Sequence, residues 1–271
     1  MVNRVIVFIL LVLLCAVFLF PFFWMFLTTV KSDAELFMYP PAWFPQEWQW
    51  QNYEKTFQAV PFFRYTLNSF IISLANVGAV FFSCSFAAFG LTRYNIKGKE
   101  FIFGAIVASM IIPINIIILP QYLIFNSIRW LDTYLPLIVP SFLGYSMGTF
   151  LLRQFFMTIP KDLDDAAKID GAGALSILLR VYVPLSTGAF ITIGIFIFIF
   201  WWNDLLRPVI FLSSTSKMPL TVGLINMMGQ YTVQWNLLMC GAFLSIIPAM
   251  IIFLIAQKYY IQGIAMTALK G

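Results

Sequence analysis

The residues best placed to do chemistry lie in one polar stretch of an otherwise apolar chain, RQFFMTIPKDLDDAAKIDGAGALSILLRVYVP, from Arg153 to Pro184. Its aspartates have no histidine to work with anywhere in the chain, which removes Ser-His and Cys-His nucleophile pairs, the usual proton shuttle and most zinc sites. No metal centre and no catalytic group are expected. The acids instead punctuate helix. Asp162 reads as an N-cap with Asp165 three residues on, a shortened capping box, and Pro160 discourages the helix from extending backwards. The helix then coils to Asp170, with Leu163, Ala166 and Ala167 on one face, and Gly171 supplies the left-handed residue that ends it. Its exposed face is small and flat, so another protein's surface can approach the backbone, while Asp164, Asp165 and Lys168 fix orientation by charge. Docking, not catalysis, is the chemistry available here. After Gly173, the positions Leu175, Leu178, Leu179 and Tyr182 recur at helical spacing as a stripe that packs on the rest of the chain, and Pro184 closes the segment.

Three further groups attract attention. Pro113 and Pro120 each remove a backbone donor inside an apolar run, which fits a possible gate and a plain structural kink equally well. If the run crosses a membrane, such breaks require it to face protein or a water-filled cavity. Asn203 and Asp204 follow Trp201 and Trp202, and Arg207 lies three residues after the acid, so a local ion pair competes with a pathway-facing or externally exposed polar site. The segment 212–235 mixes Ser213, Ser214, Asn226, Gln230 and Tyr231 with aromatic and Met residues, a composition that suits sugars and is also common in loops generally. Cys15, Cys84 and Cys240 stand alone in apolar surroundings and read as small buried hydrophobes.

The elements that hold these groups must be membrane helices. Of 271 residues, 61% are hydrophobic and 10% charged, too few polar side chains to clothe a water-soluble fold of this length. Six runs free of Asp, Glu, Lys and Arg reach bilayer length: Val5 to Val30, Tyr65 to Thr92, Phe101 to Ile128, Thr133 to Leu152, Val181 to Asn203, and Met218 to Gln257. The last is too long for one helix, which places the sixth span near Leu237 to Gln257. With the N-terminus inside, ten basic residues fall in cytoplasmic segments and six outside, so retention of positive charge puts both termini in the cytoplasm. The first run exceeds a signal-peptide core and lacks a small-residue cleavage site, so it is expected to persist as a helix. The loop 153–184 is then cytoplasmic, and 31–61 and 212–235 are external. Between Lys31 and Pro61, the prolines Pro40, Pro41 and Pro45 and the rings Trp43, Phe44, Trp48 and Trp50 suit an interfacial anchor more than a solute contact. The net charge of +5 is scattered in ones and twos, which argues against nucleic acid as a partner.

The run D-D-A-A-K-I-D-G-A, with Pro184 twelve residues beyond Ala172 in V-Y-V-P-L, resembles the EAA loop of permease subunits of binding-protein-dependent ABC importers, in particular the maltose-type carbohydrate branch. Asp165 stands where the family's leading Glu would be, with Ala166, Ala167, Asp170, Gly171 and Ala172 in register. Further similar pieces are P-F-F-W-M-F-L-T-T-V-K-S at Pro21, A-A-F-G-L-T-R-Y at Ala87, M-I-I-P at Met110, W-N-D at Trp202 and K-M-P-L-T-V-G-L at Lys217, so the resemblance covers almost the whole chain. It implies a single all-α transmembrane permease domain of six helices over 1–271, in a bacterial or archaeal cytoplasmic membrane. It also implies that the loop docks as a coupling helix on a cytoplasmic ATPase. The implied partners are a second homologous permease subunit, two copies of that ATP-binding subunit, an extracytoplasmic solute-binding protein and the lipid bilayer. The implied cargo is a carbohydrate or carbohydrate-like solute, glycerol phosphate included. The chain lacks G-x-x-x-x-G-K-[ST], so ATP and Mg belong to the partner ATPases and no cofactor is expected here. A secondary transporter would need intramembrane ionisable residues, which the six runs lack, and a membrane hydrolase would need a nucleophile with its base.

Overall fold

The computed structural model describes residues 2–229 and 233–268, and side chains over residues 4–229 and 233–257; its regular elements are all helices among those residues. In chain order they are α1 (Val2–Thr29), α2 (Asp33–Leu36), α3 (Gln51–Ala59), α4 (Phe62–Arg93), α5 (Lys99–Ser109), α6 (Ile114–Ser127), α7 (Leu135–Leu143), α8 (Ser146–Phe156), α9 (Asp162–Ile169) and α10 (Ala174–Ile177). A π-helical turn over Leu178–Tyr182 leads into α11 (Val183–Leu185), α12 (Thr187–Trp202), α13 (Leu206–Phe211), α14 (Leu220–Asn226) and α15 (Trp235–Ala268). Four stretches are long and apolar enough to cross a bilayer: residues 4–29, 62–93, 135–156 and 235–257. Two bent pairs, α5 with α6 and α10–α11 with α12, bring the number to six. On α1 every side chain from Arg4 to Phe23 is exposed, a surface that needs an apolar cover.

The third expected span is broken, not merely kinked. Its two halves meet at 98°, and Pro113, with extended backbone, stands immediately before the second half. Pro120 lies inside α6 without interrupting it. The expectation that this run faces the interior fails within the chain itself. No residue of α5 is buried, α6 buries only Ile118 and Phe125, and Ile111 at the break is 83% exposed. The fifth span is shorter than its uncharged run, because the bend of 80° before α12 cuts off residues 181–186. Of the cysteines, Cys84 and Cys240 are buried as expected, but Cys15 is exposed on α1.

The framework falls into two compact units, Met1–Thr66 with Leu220–Pro248, and Leu67–Pro219 with Ala249–Gly271. In the larger unit the core gathers Val80, Cys84 and Ala88 of α4 with Leu137, Leu152, Phe156, Leu178, Tyr182, Phe190 and Ile197. Gly148 permits the approach of α8 to α4, since a Cβ there would sit 2.9 Å from Cys84 Sγ.

The smaller unit is tied at the end of α1. Asn52 Nδ2 donates to the carbonyls of Thr29 and Lys31, both at 2.9 Å, and the hydroxyls of Thr29 and Tyr53 lie 2.8 Å apart. Ser32 and Glu35 form a full capping box on α2, and Gln46 N–H donates to Glu35 at 2.7 Å. Burial alone would raise the Glu35 carboxyl, but the donors from Gln46 and Ser32 outweigh it and hold the group below its ordinary value. The expected anchor rings Trp43, Phe44, Trp48 and Trp50 are all exposed, and Trp48 and Trp50 stack with centroids 5.7 Å apart. Gly223 of α14 lies against the buried ring of Tyr65, where a Cβ would fall 2.1 Å from a ring carbon. Gly223→Ala is therefore expected to lower stability by about 1–3 kcal/mol through overpacking, read as a drop in the midpoint of thermal unfolding in detergent.

Candidate functional site

Helix α9 stops where the sequence says it should, and it starts differently. Gly171 takes φ +80°, Ala172 N–H bonds back to Ala167 O at 2.9 Å, and Gly171 N–H bonds to Lys168 O at 3.0 Å. This is a Schellman ending, in which two orphan carbonyls of the last turn regain donors. At the other end Asp162 is not an N-cap. Lys161 already has helical backbone and caps without a side-chain bond, and Asp162 is the first residue of the helix. The turn forms one residue early, so Asp162, Asp164 and Asp165 act on the helix dipole as first-turn charges instead.

Asp164 does not face outward. It is buried, receives the Tyr182 hydroxyl at 2.8 Å, and lies 3.3 Å from Arg93 Nε. Burial pushes its carboxyl up, and Arg93 only partly counters this. Asp165 pairs with Lys168 at 3.0 Å on the exposed side, where such a pair contributes little to stability. The outward face is also not flat. Ala166 and Asp170 are exposed and Ala167 is half-buried, but Ile169 is 87% exposed and Leu163 41%. A helix of eight residues thus presents a bulky apolar side chain beside its alanines, because the inward side is given to Asp164.

The stripe after Gly173 divides for a related reason. Leu178 and Tyr182 are buried with Ile177, whereas Leu175 and Leu179 stay exposed. The π turn over Leu178–Tyr182 widens the helix there, so the buried positions are not those of an α-helical stripe. Pro184 does not close the segment. It sits near the start of α11, and the chain bends at Ser186 instead. Arg153, expected at the loop's beginning, belongs to α8, where it reaches Glu100 at 2.9 Å and lies 3.9 Å over the Phe103 ring.

Among the other expected site residues, Asp204 and Arg207 form the local ion pair at 2.7 Å, with both side chains 11% exposed and the guanidinium 3.9 Å over Trp201. Exposed Asn203 donates to Ile199 O at 2.8 Å. Asn226 is exposed at the end of α14, so the segment 212–235 is partly helical, and Tyr231 with Gln230 lies outside the described residues. Pro113 stands between α5 and α6, and Pro120 lies inside α6.

Asp132 escaped sequence reasoning. Its backbone is left-handed at φ 56°, a region Asp tolerates better than most residues. From there its carboxylate accepts the N–H groups of Ser213 at 3.0 Å and Ser214 at 2.8 Å, the Ser214 hydroxyl, and Lys217 Nζ at 3.0 Å. The Ser214 hydroxyl and N–H, then Lys217 and the Ser213 N–H, hold this carboxyl well below the usual carboxylate range. A partner 85 residues away leaves no local trace in sequence.

Comparison with known proteins gives these features a context. Residues 79–266 match the family described as binding-protein-dependent transport system inner membrane component. The chain belongs to that family. The permease is 31% identical over 254 residues to the sulfoquinovosyl glycerol transport system permease protein SmoH of Agrobacterium fabrum, covering 93% of this chain and 89% of that one. It is 30% identical to the arabinooligosaccharides transport system permease protein AraQ of Bacillus subtilis, covering 96% and 93%. It is 29% identical to the sn-glycerol-3-phosphate transport system permease protein UgpE of Yersinia pestis, covering 91% and 90%. Its fold is that of a chain in the crystal structure of a bacterial ABC transporter involved in import of the acidic polysaccharide alginate, with TM-score 0.82, 22% identity and 96% of both chains covered.

Asp132→Asn is expected to free the segment it holds, and amide exchange at Ser213 and Ser214 should accelerate by roughly tenfold or more, as read by hydrogen-deuterium exchange. Because the folded carboxyl lies below its unfolded value, its hold is fully present above the ordinary carboxylate pKa. That protection is lost only as pH falls from there through the depressed value.

Proposed function

We propose that this permease is one of two homologous membrane subunits of an ATP-driven importer for a carbohydrate or a carbohydrate-like solute. Two cytoplasmic ATPase subunits supply the energy, an extracytoplasmic binding protein delivers the cargo, and both termini of this chain are cytoplasmic. The observation that carries the reading is α9, a short helix stopped by Gly171 that presents Leu163, Ala166 and Ile169 outward while its inner acid is bonded into the bundle. An exposed apolar side chain on so short a helix is costly in water and useful in a groove on another protein. The energy source is assigned to separate subunits because this chain carries no phosphate-binding loop.

The cargo class rests on the relatives, whose names cover a sulfosugar glycerol conjugate, arabinose oligomers and glycerol phosphate. These share dense hydroxyl groups. The mechanism is alternating access: ATP closes the two ATPases, α9 moves with them, and the helices tilt to open the cavity towards the binding protein. Asp132, Asp204 and Asn226 are then positioned at or near the external side, with Asp204 held as a structural ion pair.

Gly171→Leu forces a side chain into a left-handed backbone at about 1–2 kcal/mol, with no atom within 4 Å of the added Cβ. In proteoliposomes this variant is expected to insert normally and to lose ATP-driven uptake of the substrate; uptake and stimulated ATPase activity both at parental levels would refute the docking role. Sidedness has its own check. In vesicles that hold the permease without its ATPase, a cysteine introduced by Ile169→Cys should react with an impermeant maleimide when the vesicles are inside-out and not when they are right-side-out.

A further inference from the structure

Among the helices long enough to cross a bilayer alone, α1 contains Pro21 and α15 contains Pro248, and the 135–156 span is interrupted at Gly144. Helix α4 runs 32 residues without proline or break. From Leu67 onward four of its polar side chains, Asn68, Asn76, Ser83 and Arg93, bond to other segments of the larger unit in a sequence that follows the helix. Asn68 Nδ2 donates to Ser216 O at 3.0 Å and Met218 O at 2.9 Å. Asn76 Nδ2 reaches Leu137 O at 3.0 Å, and Ser83 Oγ reaches Ser141 O at 2.9 Å. At the far end Arg93 Nη2 donates to Phe156 O at 3.3 Å and Ile159 O at 2.6 Å, while its Nε faces Asp164 of α9. The guanidinium lies 4.8 Å over the Tyr182 ring, and that ring's hydroxyl holds the same Asp164.

One side chain therefore grips the end of α8, helix α9 and the π turn together. A lysine cannot do this, because one point charge replaces a planar fork that serves two carbonyls and a carboxylate. Removing either charge would leave the other buried without its partner. Asn68 and Arg93 are 25 residues apart, about 37 Å along a helix, enough to carry a displacement from one face of a bilayer to the other. The segment that Asn68 holds, 216–218, is the one that Lys217 and Ser214 pin to Asp132.

We propose that α4 is the push-rod of this permease: Arg93, through Asp164, receives the movement of α9, and Asn68 delivers it to the external segment 212–218. Arg93 and Asn68 are positioning residues that touch no cargo. The proposal rests on the reading that α9 docks on an ATPase, and its test separates the two. The assembled transporter in nanodiscs carries Thr215→Cys as a reporter, with Cys15, Cys84 and Cys240 replaced by alanine, and copurification of the ATPase is measured for every variant. The maleimide labelling rate is compared between nucleotide-free and ATP-vanadate-trapped states. In the parent these rates should differ by at least about fivefold, the lower end of ordinary coupling between sites. Asp164→Asn and Asn68→Ala should each bring the ratio to about one, the double variant should go no further, and Arg93→Lys should lie between. If Asp164→Asn fails to assemble, Tyr182→Phe, which removes one hydroxyl, is read in its place. A full ratio in Asp164→Asn or Asn68→Ala with the ATPase still bound overturns the push-rod and leaves docking intact. Equal rates in the parent also overturn it, and loss of the ATPase from the parent overturns docking itself.

Discussion

Inside a bilayer no water is available to pair with a carbonyl or amide released at a helix end, and an unpaired group there costs several kcal/mol. The helices of this permease nevertheless break at Met110–Pro113, at Gly144 and at Ser186. Around the Gly144 break and at the end of α8, backbone carbonyls are met by side chains of α4. Asn76 serves Leu137 O, Ser83 serves Ser141 O, Cys84 serves Tyr145 O, and Arg93 serves the carbonyls where α8 ends. One continuous helix thus supports the interrupted 135–156 span beside it. Asn76, Ser83 and Arg93 have that work to do, and this is why they are tolerated in a segment otherwise apolar enough to cross.

The same economy shapes the α9 loop. A short helix gains little from its own hydrogen bonds, so α9 depends on its ends and its inner face. Gly171 closes one end through a Schellman pair, and Asp164 ties the inner face to Tyr182 and Arg93. With the inner side anchored by a charge, the apolar side chains Leu163 and Ile169 turn outward, which no isolated soluble helix would favour. Orientation of the loop is therefore set by a buried ion pair.

On the other side of the larger unit, Asp132 performs for an irregular segment what Asp164 does for α9. Two backbone amides, a hydroxyl and an ammonium converge on one carboxylate and give 213–217 a fixed shape without regular structure. Asp204 and Arg207 behave differently. They neutralise each other locally, and Arg207 also lies over the rings of Trp201 and Phe200.

The sequence alone determined class and span count, because the bilayer demands long uncharged runs and such runs are visible residue by residue. It also located the stop of α9 at Gly171, since a left-handed backbone is a local property of one residue, and it offered the Asp204–Arg207 pair, three residues apart, as one of two readings that the structure then decided. What it misread depended on neighbours distant in the chain. Whether Asp162 caps, whether Asp164 points inward, and which side of α9 shows Ile169 were decided by Arg93 and Tyr182, which are 71 and 18 residues from Asp164 in sequence. The roles of Asp132 and Asn68 were invisible for the same reason, with partners 81 to 150 residues away. Periodicity records what a helix buries, but the direction in which a charge turns is chosen by whichever opposite charge or donor the tertiary fold brings against it.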